Sequence, residues 1–168
     1  MLMTPWQLRA QEEAYLFNPA FCGALTFEFV KAYTSAKTDA AAFPLVFCAL
    51  PLALHPATRD ALPGTTANSL YTWIEDNPAA LIGYPERTRL LVPFVQEGLR
   101  FAMDRQVVAL DDAGCLRTGA KAASFTPTVL QQMTEETKAC VNTSRQVGRW
   151  FAKAGAASTI LSALQVIL

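Results

Sequence analysis

The stretch "FPLVFCALPLAL" (Phe43–Leu54) offers no polar face to water. At 12 residues it is short of the roughly 20 needed to cross a membrane, so it has to be buried in protein. Periodicity does not separate a buried strand from a buried helix in such a run. The prolines do, because Pro44 and Pro51 each lack the N–H that a central strand requires. The segment therefore reads as a buried helix that ends or kinks near Pro51. The chain can enclose it: 168 residues suffice for one domain with a substantial core. Hydrophobic residues at 52% and charged residues at 17% exclude a disordered tail. That charged fraction is below the roughly 25% usual in soluble domains, so apolar surface must go into a large core or under a partner.

Helix starts punctuate the rest of the chain. Thr4-Pro5 opens a short helix to about Leu16, and Asn18-Pro19 opens "PAFCGALTFEFVKAY", whose face at Phe21, Leu25, Glu28 and Phe29 is mostly apolar. "TSAKTDAAA" follows as a polar linker. Beyond the apolar segment, "HPATRDAL" is a helical turn, "PGTTANS" a loop, and Ser69 caps a short helix with Leu70, Trp73 and Ile74 inward. Asn77-Pro78 caps an element reaching Gln106, which Gly83, Pro85 and Pro93 must bend or divide. Thr126-Pro127 starts the C-terminal helical region, and Gly155 ends its main helix. "ASTILSALQVIL" is a final short helix or strand.

"QVVALDDAGCLRTG" (Gln106–Gly119) departs from this pattern. Val107, Val108 and Leu110 have strand character, Cys115-Leu116 is a short return, and Asp-Asp-Ala-Gly is a turn in which Gly114 can take positive φ. A hairpin among helices raises the question whether it is the wing of a winged helix. Its tip carries Asp111 and Asp112, which repel phosphate, with only Arg117 and Lys121 to offset them. The wing is thus a protein-contact surface or packing flap in preference to a DNA reader.

Charge and motif content narrow the function classes. The 14 basic and 14 acidic residues cancel, so no global field draws the chain to nucleic acid or a membrane surface. The balance is uneven: residues 1–116 hold 8 basic and 12 acidic groups, a net of −4, and residues 117–168 hold 6 and 2, a net of +4. Cys22, Cys48, Cys115 and Cys140 are far apart without a CxxC, and His55 is the only histidine, which argues against a disulfide framework or zinc site. These features fit a reduced, cytoplasmic protein. No signal peptide is expected, since Arg9, Glu12, Glu13 and Glu28 interrupt any early apolar run. GxSxG, Walker A and GxGxxG motifs are absent. His55 beside Arg59 and Asp60 could serve as a general base, but the favoured reading is a cap or half-buried imidazole. The acid pairs Glu12-Glu13, Asp111-Asp112 and Glu135-Glu136 read as solvated charge.

Lys138, Arg145, Arg149 and Lys153, spaced 7, 4 and 4 residues, line one side of a helix, with Cys140, Val147, Phe151 and Ala154 on another. The stripe is either a solvated face or a basic ridge for acidic protein or phosphate. Trp150, if it shares that side, is a candidate hot spot.

Four segments in order, "NPAFCGALTFEFVKAY", "FPLVFCALPLALHPATRDALP", "LVPFVQEGLRFAM" and "VGRWFAKAGAASTILSALQVIL", resemble the small middle component of bacterial three-component ABC-type systems. In these systems, which include the Lamassu-type anti-phage and anti-plasmid systems, an SMC-like or Rad50-like ATPase is encoded beside a middle component and an effector. The resemblance covers nearly the whole chain and implies a winged-helix-like, non-enzymatic adaptor joining the ATPase to an effector, often a nuclease. It carries over no catalytic residue, and its "GRWFAKAG" match at Gly148–Gly155 does not say which positions touch a partner.

The expectation is a mainly α fold with one small β-hairpin, winged-helix-like and single-domain over residues 1–168, with the hairpin at about 106–118 and a C-terminal helical segment at about 127–168. No cofactor and no metal is expected, DNA is reached only indirectly or through the complex, and no membrane is involved. Lys138, Arg145, Arg149, Trp150 and Lys153 are the expected partner-binding residues. The rival reading is a winged-helix DNA-binding regulator. A third class, an enzyme using His55, requires a pocket with a second polar group beside the imidazole.

Overall fold

Several helices of the computed structural model, which describes residues 4–122 and 125–168, begin where a side chain satisfies their first N–H groups. A 3₁₀ turn at Trp6–Leu8 precedes α1 (Gln11–Leu16), so the single helix expected from Pro5 is broken. The break has a cause: Arg9 is extended, and its guanidinium forks onto Glu97 at 2.7 and 2.9 Å. It also lies over the Phe94 ring at 5.5 Å, which pins this segment down.

Asn18 Oδ1 accepts the Ala20 N–H at 2.8 Å and opens α2 (Pro19–Lys37). This helix runs about one turn into the expected linker. The Thr34 and Ser35 hydroxyls donate back to the carbonyls of Val30 (3.0 Å) and Lys31 (2.7 Å), so polar residues are accommodated without leaving the helix.

The apolar segment forms α3 (Leu45–Leu54), and all its residues are buried. It continues past Pro51 to Leu54, because packing against two further helices, described below, holds the last turn in place. Its C-terminus is closed by Arg59 of α4 (Pro56–Asp60), whose Nη1 donates to Ala53 O at 2.8 Å. Asn77 does not cap the following element; its Nδ2 donates backward to Trp73 O at 3.0 Å and closes α5 (Leu70–Asp76). A 3₁₀ turn at Pro78–Leu81 follows, and Gly83, at φ 69°, divides it from α6 (Tyr84–Asp104). Pro93 sits inside α6 without dividing it. The carbonyl deprived of its donor belongs to Arg89, which is exposed, so solvent can take the donor's place.

The hairpin pairs β1 (Val108–Leu110) antiparallel with β2 (Leu116–Thr118), in the register Val108↔Thr118, Ala109↔Arg117, Leu110↔Leu116. Asp111 Oδ1 accepts the N–H groups of Ala113 and Cys115, and Gly114 takes φ 76°. Ala41, from the connection between α2 and α3, bridges the other edge of Leu116 through bonds of 2.9 and 2.7 Å. A lone residue in "DAAA" carries no strand signature, so nothing in the sequence announces this bridge.

The C-terminal region is divided into α7 (Pro127–Gln131) and α8 (Glu135–Lys153), each capped by a threonine, Thr126 and Thr134. The tail is helical, α9 (Ala157–Ala163). In the core, α2 packs most extensively on α8 and α6, and α3 packs on both of these as well. Glycines permit the close crossings. A Cβ on Gly98 would lie 2.6 Å from Cys22 Cβ, and one on Gly148 would lie 2.4 Å from Phe29 O. The chain is mainly helical with a small two-stranded antiparallel sheet.

Candidate partner-binding surface

The five expected contact residues all stand on α8, and the structure sends them in different directions. Trp150 points inward. It is 1% exposed, donates from Nε1 to Asn68 O at 2.7 Å and meets Trp73 edge-on at 5.6 Å. The loop around Asn68 folds back over α8, so Trp150 is covered by this chain; of the cations, Lys153 lines a pocket with it under that loop. Lys138 pairs with Glu135 at 2.6 Å, and Lys153 reaches Thr66 Oγ1 at 3.2 Å. Arg149 is exposed and makes no hydrogen bond or ion pair among the described residues.

Arg145 is an internal clamp. Its Nε and Nη2 fork onto both oxygens of Glu28, at 2.7 and 2.9 Å, and Nη2 also donates to Phe125 O at 2.8 Å. Glu28 is 2% exposed and accepts the Phe125 N–H at 2.9 Å as well. Three segments thus meet at one ion pair: α2, α8 and the residue leading into α7. The hydrogen bonds it donates to Glu28 hold the guanidinium more firmly protonated than usual. Glu28 was absent from the expected set. The signal for it was present, since a lone acid on an apolar helix face needs a buried counter-charge.

Beside this clamp, α2 and α8 border an open groove of about 300 Å³ with Lys31, Arg145 and Arg149 around alanines 32 and 36. A second groove, of about 340 Å³, is almost wholly apolar. Leu16, Phe17, Leu90, Leu91 and Phe94 line it, with Leu16 49% and Leu90 64% exposed. This is where some of the apolar surplus in the composition appears at the surface.

His55 acts as a cap. Its Nδ1 accepts the Thr58 N–H at 3.2 Å and starts α4, and it lies 2.9 Å from the Thr58 hydroxyl. That hydroxyl accepts from Arg87 Nη2 at 2.9 Å and donates to Ala80 O at 3.2 Å. Desolvation, followed by the nearby Arg87 and Arg59 charges, lowers the His55 pKa below its usual 6.5. The neutral ring is the form that caps. Its contribution to stability is therefore full above pH 6.5 and is lost as pH falls from there through the lower folded-state pKa. We expect urea unfolding to show lower stability at about pH 5.5 than at about pH 7.5, and His55→Asn, which keeps a cap acceptor that does not titrate, to flatten this difference.

The buried thiols of Cys22 and Cys48 are pushed up to about 12 by desolvation, which leaves them protonated and unreactive at neutral pH. Among the described residues no cluster of three or more His, Cys, Asp or Glu could hold a metal ion, and no helix is long and apolar enough to cross a membrane.

Residues 6–168 match the family ABC-three component (ABC-3C) system Middle Component 3. The chain belongs to this family. The match spans the 3₁₀ turn at Trp6 through the last residue, so both grooves and the hairpin lie inside it. No curated protein and no solved structure matches the chain. As an ABC-3C middle component it is a partner of the other components of such a system.

Proposed function

We propose that this middle component is a non-enzymatic, cytoplasmic adaptor that joins an SMC-like or Rad50-like ABC ATPase to an effector, as in Lamassu-type anti-phage or anti-plasmid defence. The observation that carries the reading is the family match over residues 6–168. Two open surfaces of different chemistry support it. An adaptor needs a separate face for each partner, and the cationic α2–α8 groove and the apolar groove at Leu16 and Leu90 involve no common residue.

A winged-helix arrangement is part of this proposal. In chain order α2, Ala41, α3, α6, β1 and β2 supply helix, bridge, helix, helix and hairpin. Ala41 pairs with the second strand of the hairpin and not the first, as the short strand after the first helix of a winged helix does. In this reading the turn at Asp111–Gly114 is the wing.

Its chemistry favours protein over DNA. Asp111 builds the turn and also engages Arg117 at 3.2 Å, so the cation nearest the tip is already taken. Asp112 remains exposed at the tip, where it repels phosphate. Arg89 on α6 is paired with Glu86.

Co-expression of the tagged chain with the other components of its system is the test. A stoichiometric complex that survives gel filtration is expected. A chain that stays alone and instead retards duplex DNA, with affinity falling steeply as salt rises, would establish the DNA-binding regulator in its place.

A further inference from the structure

We propose that the α2–α8 groove receives an acidic peptide segment of another component of the system, with Lys31 and Arg149 at its rim and Arg145 as a fixed donor between the two helices. The proposal rests on the adaptor reading and assigns a chemistry to one of its two faces.

The charge distribution of the lining points this way. Its one carboxylate among the described residues, Glu28, is 2% exposed, and both oxygens are held by Arg145. It is therefore removed from the surface that an approaching ligand meets. The charged groups facing solvent are the exposed Lys31 and Arg149; Lys31 already lies over the Phe27 ring at 5.8 Å, while Arg149 has no hydrogen bond or ion pair among the described residues. A cation of this kind on a rigid helix is poised for an external carboxylate, whose two oxygens match the guanidinium fork.

Arg145 adds a pre-organised donor. Its Nε and Nη2 are committed to Glu28 and Phe125, while Nη1 makes no hydrogen bond among the described residues. The side chain is 26% exposed. A guanidinium already held in place loses little rotamer freedom when a ligand meets its remaining edge, which lowers the entropic cost of binding. The groove is rigid for the same structural reason: Gly148 seats α8 directly on the Phe29 carbonyl of α2. Its floor between these cations is Ala32 and Ala36, small enough for a peptide backbone to lie close to the helix.

The same facts favour a peptide over nucleic acid. A duplex presents a charge about every 1.7 Å along its axis and is held by a row of cations. Here the cations converge on one groove of about 300 Å³, and the other two of the stripe are engaged elsewhere, Lys138 with Glu135 and Lys153 with Thr66. One to a few glutamates or aspartates fit that number of cations.

The test measures binding of the purified full-length chain to the purified remaining components of the system, at two salt concentrations, for the wild type, for Arg149→Glu and for Lys31→Glu with Arg149→Glu. Both side chains are exposed, so the melting temperature of the variant should stay near that of the wild type and report intact folding. We expect Arg149→Glu alone to weaken binding about 10-fold and the pair about 100-fold, with the difference from wild type shrinking as salt rises. A folded double variant that binds as the wild type does overturns the groove assignment and leaves the adaptor reading standing. A wild type that binds none of the components overturns both. If the substitutions abolish retention of a duplex DNA probe while component binding is unchanged, the groove is a nucleic-acid site and the proposal falls.

Discussion

Replacing Gly148 with alanine is expected to destabilise the protein by about 3 kcal/mol, enough to remove a large part of the stability of a typical domain. The sign is the informative part. In an isolated helix the same change would stabilise by roughly 1 kcal/mol, because glycine is the poorer helix former. Here the added Cβ would stand 2.4 Å from Phe29 O, 2.9 Å from Ala32 Cβ and 3.1 Å from Tyr33 N. Two of these three atoms belong to backbone, which cannot rotate away as a side-chain tip can. The helices must separate instead, and α2 against α8 is the most extensive helix pair in the fold. Separation would loosen Phe29 from Phe151, whose rings meet edge-on at 6.0 Å, and Val147, which is fully buried. Urea or thermal unfolding measures the effect. A neutral or stabilising Gly148→Ala would mean that the two helices do not approach this closely.

The second large effect is expected at Glu28. Glu28→Ala strands Arg145 without its counter-ion and leaves the Phe125 N–H without its acceptor. Breaking a fully buried pair costs about 3–5 kcal/mol. Arg145 is 26% exposed, so water recovers part of this and about 2–3 kcal/mol is the expected loss. Replacing both partners, Glu28→Met with Arg145→Met, should recover much of it, since no charge is then left unpaired. The clamp also has a local readout. Phe125 follows the hairpin and precedes α7, and its amide should exchange faster in Glu28→Ala while core amides of α3 change less. Equal exchange at Phe125 in both proteins would show that the ion pair does not hold this segment.

The helix starts at Asn18, Ser69 and Thr126 were legible because each cap acts on an N–H two or three residues away. The hairpin was legible because Asp111 and Gly114 build its turn from within five residues. Burial of the apolar segment followed from composition, and Leu45–Leu54 is buried throughout; the helix expected to end or kink near Pro51 ends three residues beyond it, at Leu54. The basic stripe stands on one helix, α8, and its members have four different fates. Whether Arg145 faces solvent or a carboxylate depends on Glu28, 117 residues away in the chain. Whether Trp150 is surface or core depends on the loop at Asn68, 82 residues away.

By itself, the sequence determined the class of fold, the caps, the turn and the segment that had to be buried, all of which are settled by interactions a few residues apart or by the cost of exposing apolar surface. Only the tertiary structure decided which cation became a clamp, which stayed free, and that Ala41 would join the hairpin. Those outcomes depend on which distant groups the packed helices bring within hydrogen-bonding reach, and the sign of a charge does not encode the position of its partner.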